Sequence, residues 1–220
     1  MPFLRILICA VASYLLGSIN SGIIITKWFT GLDLRKQGSG NAGSTNAYRV
    51  LGIWPTLLVV LGDALKGVVA VVISWLLLGD NGRICAFMFV ILGHVHPLFY
   101  NFKGGKGVLT TAAMVAVFDW RIAVILVLIF VIVVAVTRYV SLGSIIGVSL
   151  MPLFVYLFYP GKVVFTLCTM FISLWIVILH KDNLIRLKNG TESKITLKKH
   201  ISVPTEQKPS DGESPGDGKK

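Results

Sequence analysis

Acidic residues are scarce in this chain. Ten Asp and Glu stand against 21 Lys and Arg, and charged residues of both signs fill only 14% of the 220 positions, where a soluble domain carries about 25%. That scarcity excludes an ordinary water-soluble globule. Cysteine is scarce too. Cys9, Cys85 and Cys168 each sit inside an apolar run, which fits neither a disulfide framework nor metal-ligand spacing and leaves three small buried hydrophobes. No soluble domain with a basic face is present either, so the net charge of +11 does not point to nucleic acid.

Apolar residues dominate instead, at 55% of the chain with a mean hydropathy of +0.78. A transmembrane helix needs about 20 mostly apolar residues, or about 17 at the short end. Seven stretches are candidates: approximately 3–25, 53–78, 83–99, 107–118, 121–137, 142–159 and 162–180. The first has no small-residue cleavage site after it and is expected to be retained. The stretch 107–118 is short, and spans alone or merges with 121–137 through Asp119 and Trp120, giving six spans instead. The expected fold is therefore all-α: a polytopic integral membrane protein of about seven transmembrane helices, membrane-embedded over 1–194. Residues 195–220, rich in Pro, Gly, Ser and charge, are expected to form a disordered polar tail.

Cationic side chains set the orientation. With seven spans, Arg5, Arg83, Arg121 and Lys162 fall on one side, Lys66 lies within a span, and all other Lys and Arg fall on the opposite side. The richer side is expected to be cytoplasmic, with the N-terminus outside and the C-terminus inside.

Every unusual loop then faces the cytoplasm: "GSGNAGSTNAYRVLG" at 38–52, "HVHPLFYNFKGGKGV" at 94–108, "TRYVSLGS" at 137–144 and "HKDNLIRLKNGTE" at 180–192. Glycines let backbone N–H groups approach an anion, and a helix opening at such a loop adds its dipole. Arg49, Lys103 and Lys106 supply charge; Ser39, Ser44, Thr45 and Asn46 supply polar donors. This chemistry suits phosphate. "GGKGV" lacks the spacing and the Ser/Thr of a P-loop, and a tight interfacial turn is the plainer reading of any one glycine loop taken alone.

Together these four segments resemble the PlsY family of bacterial membrane acyltransferases, in order and with natural spacing from the first helix to about residue 192. The resemblance implies transfer of a fatty acyl group from acyl phosphate to the 1-hydroxyl of sn-glycerol 3-phosphate in the bacterial inner membrane. Lysophosphatidic acid and inorganic phosphate are the products. It implies no cofactor and no metal, the bilayer and the two phosphate substrates as partners, and functional coupling to the enzyme that makes acyl phosphate. By the same resemblance Ser39, Asn41, Thr45, Asn46 and Arg49 form one phosphate cradle and Gly104, Gly105, Lys106 and Gly107 a second. Ser141 and Ser144, with His180 and Asn183 as the catalytic pair, complete the pocket. The sequence departs from the family pattern mildly at Ser44 and Ala47, and at His96, where an aromatic is usual.

An already activated donor needs no covalent acyl-enzyme, and no Cys lies near the motifs. The H-x4-D motif common in other glycerolipid acyltransferases is absent, since none of His94, His96, His180 and His200 has Asp five residues on. The base is His180 or a phosphate oxygen of the donor. His94 and His96 have no third ligand at a suitable spacing, which disfavours a metal pair. Asp63 and Lys66, three apart within a span, share a helix face and are expected to pair. Asn20 faces the same interior or bonds a neighbouring helix. An organic-phosphate transporter is the alternative function, but the unusual segments lie at one interface rather than midway. A scaffold would leave the cationic and glycine clusters idle.

Arg49→Lys keeps the charge and loses the bidentate fork. Acyl transfer should fall about 10- to 100-fold, the equivalent of one charge-assisted hydrogen bond, while the protein still inserts. A near-normal rate in membranes carrying the variant would remove Arg49 from the cradle.

Overall fold

The computed structural model describes residues 2–195, and the expected tail from 196 onward lies outside them. The described residues form helices without strands: α1 (Pro2–Ser18), α2 (Ser21–Thr30), α3 (Ser44–Leu51), α4 (Ile53–Val95), α5 (Val108–Phe118), α6 (Trp120–Thr137), α7 (Val140–Phe158), α8 (Val163–Leu179) and α9 (Lys181–Lys188). The stretches Phe3–Thr30, Ile53–Tyr100, Trp120–Thr137 and Val140–Phe158 are long and apolar enough to cross a membrane. The pair Val163–Leu179 and Lys181–Lys188, bent by 56°, adds a fifth. The all-helical membrane architecture holds, with three refinements to the expected segments.

The first expected span is broken. Helix α1 stops at Ser18, and Asn20, in an extended conformation, caps α2 by accepting the Ile23 N–H at 3.0 Å. Asparagine competes well for such a cap because its side chain replaces a missing backbone partner. The break also frees the Ile19 carbonyl, which Lys66 Nζ takes at 2.8 Å. Helix α2 then runs to Thr30, five residues past the expected end, and stops at Gly31 in the left-handed region.

The second refinement concerns α4, which at 43 residues would measure about 65 Å if straight. It is a hairpin. Gly79 has φ 59° and ψ −138°, and Lys66 Nζ lies 2.8 Å from His94 Nδ1, 28 residues later. A straight helix would part those residues by about 42 Å. The two arms correspond to the expected stretches 53–78 and 83–99.

The third concerns 107–118 and 121–137, which form two helices rather than one. Asp119, at φ −153° and ψ 109°, separates α5 from α6 and caps α6 by accepting the Arg121 N–H at 2.8 Å. Its carboxylate also meets Arg121 and the Tyr159 hydroxyl, both at 2.7 Å. The Arg121 guanidinium holds Asp119 well below the usual carboxylate range, with Tyr159 adding to it. A charge fixed at the helix start makes one continuous span unfavourable. At 11 residues, α5 rises only about 16 Å.

Phe87, Ile91, Met114, Ile122, Met151, Ile172 and Ile176 anchor a core shared by both arms of α4 and by α5 to α8. Val124, Leu128, Ile132 and Val136 on α6 face outward, as lipid contact requires. With lipid as apolar as the core, close backbone approach by small residues does much of the packing. Gly93 illustrates it: a Cβ there would collide with the Tyr14 carbonyl on α1.

Gly93→Ala should therefore push α1 away from α4 and cost about 1–3 kcal/mol. Thermal unfolding of purified protein in detergent checks this, and an unchanged midpoint would show that the two helices are not in register as described.

Candidate active site

All four polar segments meet at one cavity of about 790 Å³, and every expected site residue lines it: Ser39, Asn41, Thr45, Asn46, Arg49, Gly104, Gly105, Lys106, Gly107, Ser141, Ser144, His180 and Asn183. The positions of those side chains follow from local structure.

The first segment is held from below and from the side. Arg35, paired with Asp33 at 2.7 Å, donates to the Tyr100 carbonyl at 2.6 Å and the Lys103 carbonyl at 3.1 Å. That guanidinium ties the first polar loop to the second. Asn46 is almost fully buried. Its amide nitrogen donates to the carbonyls of Leu34, Gln37 and Asn41 at 2.9 to 3.2 Å, and its oxygen accepts the Ser39 N–H at 2.8 Å. It differs from the expectation of a phosphate ligand, because its donors and one acceptor position are spent on the loop. Asn41 accepts the Gly43 N–H at 2.9 Å. Among the described residues, the side chains of Ser39, Thr45 and Arg49 have no protein hydrogen-bond partner and face the cavity.

The glycines of the second segment also act differently from expectation. The Gly104 and Gly105 N–H groups point back to the Val95 and His94 carbonyls, at 3.0 and 3.1 Å, so they are unavailable to an anion. Both positions require glycine for space. A Cβ at Gly104 would strike the His94 carbonyl, and one at Gly105 would strike the His94 ring. Gly107, at φ 79°, turns the chain into α5.

Helix starts supply the donors instead. α3, α5, α7 and α9 all begin at this cavity, through Ser44, Val108, Val140 and Asp182 among its lining, and none carries a side-chain cap. Uncapped N-termini leave N–H groups free and add positive dipole ends, the arrangement that favours an anion.

A carboxylate that motif reading leaves without a role organises the far wall. Glu192 accepts from Ser141 Oγ and Asn183 Nδ2 through one oxygen, and from Arg186 Nε through the other, each at 2.7 Å. Burial pushes Glu192 up, but the three donors and the Arg186 charge outweigh it and hold the group below its ordinary value. Asn183 Oδ1 accepts from Lys106 Nζ. Asn183, expected beside His180 as a catalytic partner, is thus bonded at both ends and positions Lys106. The Ser144 hydroxyl donates to the Val140 carbonyl at 2.9 Å, leaving only its lone pairs for a ligand. The one sequence signal for Glu192 is its place as the last residue of the fourth polar segment, where basic residues outnumber the two acids.

His180 keeps a reactive edge. Its Nδ1 donates to the Ile176 carbonyl at 2.8 Å, which leaves Nε2 as an acceptor. His96 stacks on Trp175 with centroids 6.0 Å apart, and His94 Nδ1 is occupied by Lys66. Asp63 and Lys66 pair at 2.8 Å as expected, both buried. The cavity continues from these polar groups into an apolar wing between α5, α6 and α7, lined by Val115, Leu126, Phe130, Val148 and Met151.

Residues 7–190 match the family model described as glycerol-3-phosphate acyltransferase. A glycerol-3-phosphate acyltransferase of Carboxydothermus hydrogenoformans is 38% identical over 195 residues, covering 89% of this chain and 99% of that protein. One of Syntrophomonas wolfei is 44% identical over 191 residues, covering 86% and 96%. Among solved structures, the integral membrane glycerol 3-phosphate acyltransferase PlsY in its glycerol 3-phosphate form superposes with a TM-score of 0.80 at 36% identity, over 87% of this chain and 96% of that one. The lysophosphatidic acid form gives 0.79 at 33% identity, with the same coverage.

Burial pushes the Lys106 ammonium down to about 8, and the nearby Arg186 charge adds to the effect. If Lys106 works as a cation, its contribution is present below that pH and is lost as pH rises through it. A pH–rate profile should therefore fall on the alkaline side near pH 8, and Lys106→Arg, which stays charged, should remove that limb. An identical alkaline limb in the variant would assign it to another group.

Proposed function

The chain belongs to the glycerol-3-phosphate acyltransferase family, and we propose that it transfers a fatty acyl group from acyl phosphate to the 1-hydroxyl of sn-glycerol 3-phosphate. The products are lysophosphatidic acid and inorganic phosphate. The site opens on the cytoplasmic face of the bacterial inner membrane, with the N-terminus outside, a reading supported by the cationic loops gathered on one side of the chain.

One observation carries the proposal. The cavity presents Arg49, Lys106 and uncapped helix N-termini at one end and is apolar at the other. Both substrates bring phosphate and one brings a long chain, so this division fits the pair. Arg49, Lys106, Ser39 and Thr45, with the first N–H groups of α3 and α5, are the phosphate ligands. The wing between α5, α6 and α7 takes the acyl chain.

The reaction then needs little beyond placement. The 1-hydroxyl oxygen adds to the acyl carbon, the carbon–oxygen bond to phosphate breaks, and an ester remains. The hydroxyl proton passes to an oxygen of the departing phosphate, with His180 Nε2, left free by the Nδ1 bond to the Ile176 carbonyl, the alternative acceptor. Holding the two substrates in line supplies on the order of 7–11 kcal/mol of the barrier. Because the donor is a reactive mixed anhydride, coupling to the enzyme that makes it is part of the proposal.

Purified protein given palmitoyl phosphate and radiolabelled glycerol 3-phosphate should yield labelled lysophosphatidic acid, with acyl-CoA and acyl carrier protein thioester inert as parallel donors. Product from a thioester instead would overturn the donor. No product from any donor, in folded protein, would overturn the enzyme reading and call for uptake of glycerol 3-phosphate into sealed vesicles.

A further inference from the structure

His94 lies on the cavity floor, 3% exposed, at the seam between the glycine loop and the apolar wing. Lys66 Nζ is 2.8 Å from its Nδ1, 2.8 Å from Asp63 Oδ1 and 2.8 Å from the Ile19 carbonyl. An ammonium has three donors and no lone pair. Nδ1 must therefore accept, and the single ring proton sits on Nε2. Among the described residues no protein group takes that proton, and the chain passes Nε2 at Gly105, where a Cβ would strike it, so glycine keeps a side chain out of the space beside that edge. One turn into α5, the Thr111 hydroxyl oxygen is likewise buried and unpartnered and lines the same cavity.

We propose that His94 is a further substrate-contacting residue, whose Nε2–H donates to the carbonyl oxygen of the acyl phosphate as charge develops on it. Lys66 and Asp63 are positioning residues that fix the tautomer. The placement follows from the division of the cavity: with phosphate among the loops and the chain in the apolar wing, the reacting carbonyl must lie at the seam. As the 1-hydroxyl adds, the carbonyl electron pair moves onto oxygen and is held there. It returns when the bond to phosphate breaks, and His94 keeps its proton throughout. Hydrogen-bond donors preset for a developing oxyanion act where the transition state differs from the ground state.

This inference rests on the acyl-transfer reading, so turnover by the unaltered protein is the control whose loss would sink that reading instead. His94→Phe, which keeps a ring and removes the donor, should lower kcat about 100-fold with little change in either KM, whereas His94→Gln, with an N–H near the Nε2 position, should stay within about tenfold. Wild-type kcat in a His94→Phe protein that melts normally would overturn the proposal, as would a His94→Gln loss equal to that of His94→Phe. Nitrogen-15 spectra of histidine-labelled wild-type protein give an independent readout, whether or not a variant folds. Nε2 should be protonated and Nδ1 an acceptor; the reverse tautomer would overturn the proposal. The double variant Lys66→Met/Asp63→Leu, which removes both charges together, should release His94 into a mixture of tautomers, and a tautomer unchanged there would remove the positioning role.

Discussion

The polar interior of this protein hangs on one ammonium group. Lys66 Nζ reaches an acid on its own helix turn, an imidazole from the second arm of the α4 hairpin, and the carbonyl released where α1 breaks into α2. An unpaired charge at this depth costs at least about 2.5 to 3.5 kcal/mol, so intramembrane ionisable groups are kept only where partners compensate them. Three chain segments supply those partners. The same contacts register α1 against both arms of α4, and the hairpin in turn carries the His94 carbonyl that receives the Gly105 N–H. Asp63 is tied in too, since its own carbonyl accepts the Thr110 hydroxyl at 3.1 Å. The membrane-embedded pair thus fixes the floor on which the glycine loop and the start of α5 rest.

Above that floor, the site is assembled by helix starts rather than by a phosphate-binding loop of the usual kind. The Gly104 and Gly105 amides are spent on α4, and the glycines serve close packing over His94. In the proposed function, anion binding rests on the uncapped N-termini at the cavity and on Arg49 and Lys106, which line it. Around them lies an inner frame of Arg35, Asn46, Asn183 and Glu192, whose polar atoms bond protein. A buried acid such as Glu192 is tolerable because three donors satisfy it. Its removal would leave Ser141, Asn183 and Arg186 without their common acceptor, so the frame behaves as one unit.

Much of this was legible in the chain itself. Run length and charge scarcity gave an all-helical membrane protein, because lipid satisfies no backbone group and only internal hydrogen bonding can. The four polar segments were legible as one site, and each expected residue does line one cavity. Their roles were less legible. Asn46 reads as a ligand and its amide is bonded within the loop, Asn183 reads as catalytic and also links Lys106 to Glu192, and Ser144 gives its proton to a helix carbonyl. A sequence names the donors available without saying which are already committed, and commitment is a matter of distance.

The sequence by itself determined what could be buried in lipid and which residue types were placed between the spans, since both depend on composition over short windows. Only the tertiary structure decided that α4 turns back at Gly79, that Asn20 breaks the first helix so that Lys66 can use Ile19, and that Glu192 closes the far wall. Each depends on groups brought together across 9 to 51 residues of chain. The energy of a buried polar group rests on which partners reach it, and that is a property of the packed fold.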